Sequence, residues 1–129
     1  MTKLLDANLI VRFLVNDDLK KADAVEKLLR GKEELLLTDV TVAEIIWVMA
    51  SYYKHSPKKI CEEIESLLHL PIIKCNRKTL LCGLEFYREF NIDWIDAYSA
   101  AFAIEENIKE IYSYDKDLDK IKVISRIEP

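Results

Sequence analysis

A chain of 129 residues has room for one hydrophobic core of ordinary size, so residues 1–129 are expected to form a single domain. Hydrophobic residues at 50%, charged residues at 33% and only 2 glycines and 3 prolines describe a compact, helix-rich globule and exclude a linker or a disordered tail. The net charge of -4 argues against a broadly basic surface for gripping nucleic acid, but it is compatible with an acidic site in which a divalent cation reverses the local sign when a phosphate arrives.

No apolar run approaches the length of a bilayer span, and the opening Met-Thr-Lys-Leu-Leu-Asp meets an acid too soon for a secretory signal; the expectation is a cytoplasmic protein with no membrane partner. Cys61, Cys75 and Cys82 are odd in number and have no CxxC spacing, while His55 and His69 stand apart from them. Neither a disulfide framework nor a zinc site is indicated.

In chain order, Lys3-Leu4-Leu5-Asp6 is a short apolar run that ends in an acid. The following Leu9 to Leu14 reads equally as helix or strand. Asn16-Asp17-Asp18 signals a turn, after which Ala22, Val25, Leu28 and Leu29 recur at helical spacing until Gly31 offers a stop. Leu35-Leu36-Leu37 reads as a buried strand closed by Thr38-Asp39, and a long helix runs from about Val40 to Tyr53, its start matching a capping box over Thr41-Val42-Ala43-Glu44.

Ser56-Pro57 supplies a capping hydroxyl and a proline at the first position of the next helix, which Pro71 closes. Ile72-Ile73 is a brief strand. Arg77 to Phe90 returns to helix, with Gly83 as its weak point. Asp93-Trp94-Ile95-Asp96 opens a helix through Ala97, Ala100 and Ala101, whose small residues let neighbouring backbones approach closely. The chain closes with a strand over Glu110 to Tyr114, a turn over Asp115 to Asp119 and a strand over Lys122-Val123-Ile124. Short strands separated by helices imply an α/β fold with a parallel sheet covered by helices.

In such a sheet, ligands bind beyond the carboxyl ends of the strands. Asp6 and Asp115 lie at expected strand ends, while Glu44 and Asp96 lie in the first turns of helices, so four acids from distant segments are candidates for one rim. Gathered carboxylates repel unless a cation compensates them, and hard oxygen ligands suit Mg²⁺ or Mn²⁺. Each acid also has a plainer role: Asp6 as a helix cap, Glu44 as the returning carboxylate of its capping box, Asp93 and Asp96 as N-cap and N3 residues, and Asp115 as a turn initiator.

Taken together, the motifs resemble the PIN-domain family, and within it the toxin-like branch called VapC. Leu4-Leu5-Asp6-Ala7-Asn8 is similar to the opening strand and Asp-x-Asn/Ser element, with Asp6 at the first metal-binding acid and Asn8 at its polar support. Thr38 to Ile45 resembles the strand-to-helix segment with Glu44 at its acidic position, and Asp93 to Ala101 resembles the small-residue helix with Asp96 at the catalytic position. Tyr112 to Leu118 resembles the terminal Thr/Ser-x-Asp-x-Asp-Phe segment, with Asp115 as its acid, Ser113 where Thr is common and Leu118 in place of Phe.

The resemblance implies a three-layer α/β/α sandwich with a central, mostly parallel sheet, and divalent-metal-dependent hydrolysis of RNA. It makes Asp6, Glu44, Asp96 and Asp115 the catalytic and metal-binding acids, with Asp93 and Asp117 as secondary candidates and Asn8 and Ser113 in support. It further implies a homodimer and, for the toxin branch, a small antitoxin protein as partner. Trp47, Tyr52, Tyr53 and Phe86 are apolar or aromatic residues that a small core need not enclose. Arg12, Lys54, Lys58, Lys59 and Lys116 are candidates for RNA contact, although a solvated helix face explains each of them better.

Other readings differ at particular positions. A haloacid-dehalogenase-type phosphotransferase needs an acid two residues after the first, where Asn8 stands. A receiver domain needs an acidic pair just after the first strand, but Asp17-Asp18 comes too late. The remaining alternative is a PIN-like interaction or scaffold module with little or no nuclease activity.

Overall fold

In the computed structural model, which describes residues 1–129, helices begin where the sequence offers a capping oxygen. Strand β1 (Lys3–Leu4) leads into α1 (Ala7–Val15), and the Asp6 carboxylate accepts a hydrogen bond from the Asn8 N–H at 3.2 Å. The ambiguous stretch after Asp6 is therefore helix. Asn16 ends it in the left-handed conformation, φ 58°, which asparagine tolerates better than most residues, and donates its N–H to the Arg12 carbonyl. Asp18 then caps α2 (Leu19–Leu29) through the Lys21 N–H. Gly31 follows the end of α2 as expected, but without a left-handed φ; its N–H bonds the Leu28 carbonyl in a tightened last turn.

Strand β2 (Leu35–Leu36) precedes α3 (Asp39–Ser51), and here the start differs from the capping box expected at Thr41–Glu44. Thr38 is the cap: its hydroxyl oxygen accepts from the Thr41 N–H at 3.2 Å. That N–H is the donor Thr38 reaches at the third helical position, so the helix starts earlier and Glu44 lies beyond its first turn. Thr38→Ala should accordingly destabilise the protein by about 1 kcal/mol, the usual worth of an N-cap, as a lowered midpoint in urea unfolding.

Ser56 caps α4 (Pro57–Leu68) through the Lys59 N–H, with Pro57 at the start as expected. Strand β3 (Ile73–Lys74) follows, then α5 (Arg77–Phe90), α6 (Trp94–Glu105), β4 (Glu110–Tyr112), a 3₁₀ helix (Lys116–Lys120) and β5 (Ser125–Ile127). The chain divides into two compact units, Met1–Asn76 and Arg77–Pro129.

In the first unit the sheet order is β1-β2-β3, all parallel, with Lys3 opposite Leu35 and Leu35 opposite Ile73. Pairing extends one residue further, since Leu5 and Leu37 donate to the Leu36 and Lys74 carbonyls at 2.9 Å. Asp6 and Thr38 thus follow directly from the carboxyl ends of β1 and β2. Helix α1 packs on α2 and α3, burying Ile10, Val11, Val25, Val42, Ile45 and Met49.

In the second unit α5 lies against α6. A methyl added at Gly83 would come within 3.0 Å of the Trp94 ring, so the glycine that weakens the helix by propensity is what lets this aromatic in. Ala97, Ala100 and Ala101 are fully buried, in keeping with the close approach expected of that helix. Strands β4 and β5 pair in parallel, Glu110 opposite Ser125.

The last strand was expected at Lys122-Val123-Ile124 and lies three residues later, at Ser125–Ile127. Ile121 and Ile124 are buried, and the Ile121 and Ile124 N–H groups bond the Leu118 and Ile121 carbonyls. Those turn bonds consume the donors that a ladder would need. Strand β4 also stops short, at Tyr112 and not Tyr114. All strand pairings are parallel and helices join the strands, which is the α/β class the sequence predicts.

Candidate active site

The acid pair Asp96 and Asp115 is brought together in the second unit. Asp96 sits in the first turn of α6, and its side chain is hydrogen-bonded to that of Asp115 at the start of the 3₁₀ helix. Two carboxylates bond in this way only by sharing a proton. Partial burial, followed by the hydrogen bond and charge of Asp115 and by the charges of Asp93 and Asp117, pushes Asp96 up from 3.8 to about 6. Asp115 is held below the usual carboxylate range, first by the Asp117 N–H it accepts and then by the hydrogen bond from Asp96.

The fixed geometry of Asp115 has three sources. Its own N–H bonds the Ser113 hydroxyl at 3.0 Å, and its Oδ1 accepts from the Asp117 N–H at 2.9 Å. The third is Arg126 on β5, which sequence reasoning missed. Its Nε and Nη2 grip the two oxygens of Asp119 at 3.0 and 3.2 Å, while Nη1 reaches the Ser113 carbonyl at 3.0 Å. This fork ties both ends of the loop that carries Asp115 to the neighbouring strand. A bidentate contact closed across a turn and a strand has no spacing signature; the one available signal is an arginine in a short closing strand after an acidic turn.

The secondary candidates divide. Asp93 precedes α6 in the cap position, but its side chain makes no capping hydrogen bond, so the N-cap role proposed for it is not used. Asp117 pairs with Lys120 at 3.2 Å.

In the first unit, Asp6 does act as a cap, but through one oxygen to one N–H. A carboxylate retains further lone pairs after such a bond, so the cap and a metal role are compatible. Asn8 and Glu44 line one cavity of about 350 Å³, with α1 and α3 supplying its walls. Glu44 is exposed, and the Thr41 N–H that a capping box would give it is taken by Thr38. Its plainer role is therefore removed. Within neither unit do three or more His, Cys, Asp or Glu side chains form a ready cation cage; the two carboxylates of the Asp96–Asp115 pair are hard oxygen donors of the kind that suit a divalent ion.

This pair sets a pH dependence for the metal-free protein. The folded state holds the Asp96 proton more tightly than the unfolded state, so between about pH 4 and 6 the folded chain binds more protons and stability falls as pH rises. The lowered Asp115 acts oppositely and in another window, losing its contribution as pH falls below its ordinary value of 3.8. A shift of this size on a wholly shielded group would be worth ~3 kcal/mol; for the half-exposed Asp96, solvent screening reduces it to about 1 kcal/mol. Urea midpoints measured from pH 4 to 7 should show this decline in the wild type, and Asp96→Asn should flatten it.

Comparison with known proteins adds the following. The chain matches the PIN domain family over residues 3–124. No curated protein matches it in sequence. Among solved structures it is similar to VapC20 of Mycobacterium tuberculosis, described as a Sarcin-Ricin loop cleaving toxin, with 11% identity, a TM-score of 0.43 and 100% of both chains covered. It is also similar to VapBC2 from Rickettsia felis, solved bound to a DNA fragment from their promoter, with 15% identity, a TM-score of 0.40 and 99% and 98% of the two chains covered.

Proposed function

The chain belongs to the PIN domain family, and on that premise we propose that it is a divalent-metal-dependent ribonuclease, acting as one domain over residues 1–129 and belonging to the VapC-like toxin branch. The single observation that carries the reading is the Asp96–Asp115 carboxylate pair, two acids far apart in sequence held within hydrogen-bond reach of each other. Holding Asp96 beside Asp115 is costly once both carboxylates are ionised, and the bond that Asp115 accepts from the Asp117 N–H does not require it. A cation explains it.

Asp6, Glu44, Asp96 and Asp115 are the proposed acids, and Mg²⁺ or Mn²⁺ the proposed ion. When bound, the ion would lower the pKa of water and stabilise charge on phosphate oxygens. The chain's own part is positioning. Ser113 and Arg126 hold the Asp115 loop, the Asp117 N–H orients the Asp115 carboxylate, and Asp6, through its cap, fixes the start of the helix that carries Asn8.

Purified wild-type chain should cleave single-stranded RNA in Mn²⁺ or Mg²⁺ and not in excess chelator, and should spare DNA of the same sequence. Intact RNA at stoichiometric enzyme with either metal would overturn the reading. A homodimer and a small antitoxin partner are proposed with the same branch; Trp47, 69% exposed, is the aromatic surface available for such contacts. Light scattering at high micromolar concentration should give twice the chain mass, and a monomer there would contradict the dimer. No helix is long and apolar enough to cross a membrane; a cytoplasmic location is proposed with the toxin reading.

A further inference from the structure

The cavity lined by Asn8 and Glu44 continues along α1 and the end of α3, where Arg12, Asp17, Tyr52 and Tyr53 form its other wall. Its volume, about 350 Å³, lies at the low end of the range of small-ligand pockets. Arg12 is held there in an unusual way. Both of its contacts to Asp17 run through Nη1, at 3.4 Å, and its buried Nε has no hydrogen-bond partner. A buried guanidinium N–H without an acceptor is costly, and since Arg12 lines the cavity with a side chain 36% exposed while Nε is sealed, its terminal nitrogens are what a phosphate there would meet. Asp17 thus steadies one terminal nitrogen at 3.4 Å and leaves the guanidinium incompletely paired.

An aromatic platform completes the site. Tyr52 is 75% exposed, and its ring meets Tyr53 edge-on, with centroids 4.8 Å apart and planes at 79°. Tyr53 is in turn anchored, its hydroxyl within 3.5 Å of Asp17. The Tyr52 ring is therefore held by a neighbour and largely exposed to solvent, as stacking on a nucleobase requires.

We propose that this cavity is a nucleotide subsite for single-stranded RNA, in which Arg12 grips the phosphodiester of a nucleotide bound beside Glu44 and Tyr52 stacks on its base. The assignment rests on the ribonuclease reading and adds a binding site to it. The cavity walls carry two carboxylates, so charge alone would not hold RNA here. The incompletely paired guanidinium and the exposed ring supply specific contacts in their place.

The test is the affinity of the full-length chain for a fluorescein-labelled single-stranded RNA decamer, read by anisotropy in Ca²⁺ over a range of salt, with Mn²⁺-dependent cleavage of the same RNA measured alongside. Arg12→Lys, which keeps the charge but not the fork, and Tyr52→Ala should each weaken binding on the order of tenfold. Tyr52→Phe should restore it, since stacking needs the ring and not the hydroxyl. Arg12→Ala should lower the salt slope by about one, while Arg30→Ala, at an exposed ion pair with Glu26 on α2, should leave Arg12-dependent binding intact. Circular dichroism on each variant separates loss of binding from loss of fold. If the wild type binds and cleaves RNA while Arg12→Lys and Tyr52→Ala match it, the subsite is wrong and the ribonuclease reading stands. If the wild type neither binds nor cleaves, the reading falls and takes the subsite with it.

Discussion

Asp96→Asn should reduce Mn²⁺-dependent RNA cleavage on the order of a hundredfold or more while leaving the protein folded. Substitution of groups that merely support a metal ligand typically costs 10–100-fold, and Asp96 is proposed as a ligand itself. Asparagine keeps the shape of the side chain and can still donate a hydrogen bond to Asp115, the contact that the protonated Asp96 makes in the metal-free protein. What it lacks is the second negative charge. The same substitution should therefore raise stability at neutral pH, where Asp96 is otherwise ionised beside Asp115, so activity and stability are expected to move in opposite directions. Full activity in purified Asp96→Asn would remove this acid from the site.

The second large effect is expected at Glu44. Glu44→Gln should slow cleavage and weaken Mn²⁺ binding by about tenfold or more, because a neutral amide oxygen is a poorer ligand for a hard cation. The melting temperature of the metal-free protein should not change. A capping role would have made the helix start depend on this residue, but Thr38 supplies that bond to the Thr41 N–H. Glu44→Ala should then be as stable as Glu44→Gln. A loss of about 1 kcal/mol in the alanine variant alone, with activity retained in the glutamine variant, would show Glu44 to be structural after all.

The start of α3 is decided by the strand before it and not by the capping residues alone. Thr38 and Thr41 both precede an apolar run, and Glu44 follows the second at capping-box spacing. The choice between them was made by the end of β2, since Leu37 is still bonded to the Lys74 carbonyl and Thr38 is the next residue free to turn. A pairing between distant strands is not visible locally. The same cause displaced the last strand, where buried Ile121 and Ile124 look like strand residues but anchor turns.

By contrast, α4 and α5 were legible because their signals are local: Ser56-Pro57 at one start, and apolar spacing through Arg77–Phe90 in the other. Of the candidate site, the acids stand out in the sequence by type and position, while the hydrogen bond between Asp96 and Asp115 is visible only in three-dimensional contact. The grip of Arg126 and the unpartnered Nε of Arg12 were not legible. Their significance lies in which nitrogen is occupied, and sequence does not encode that directly.

Calorimetric titration of Mn²⁺ into the metal-free wild-type chain at neutral pH tests most directly whether Asp96 and Asp115 hold a divalent cation. Saturable binding by the wild type, lost or weakened on the order of a hundredfold in Asp96→Asn, is the predicted result. No binding to the wild type, or equal binding to Asp96→Asn, would contradict it; the first outcome would leave this PIN domain as a protein-interaction module and not an enzyme.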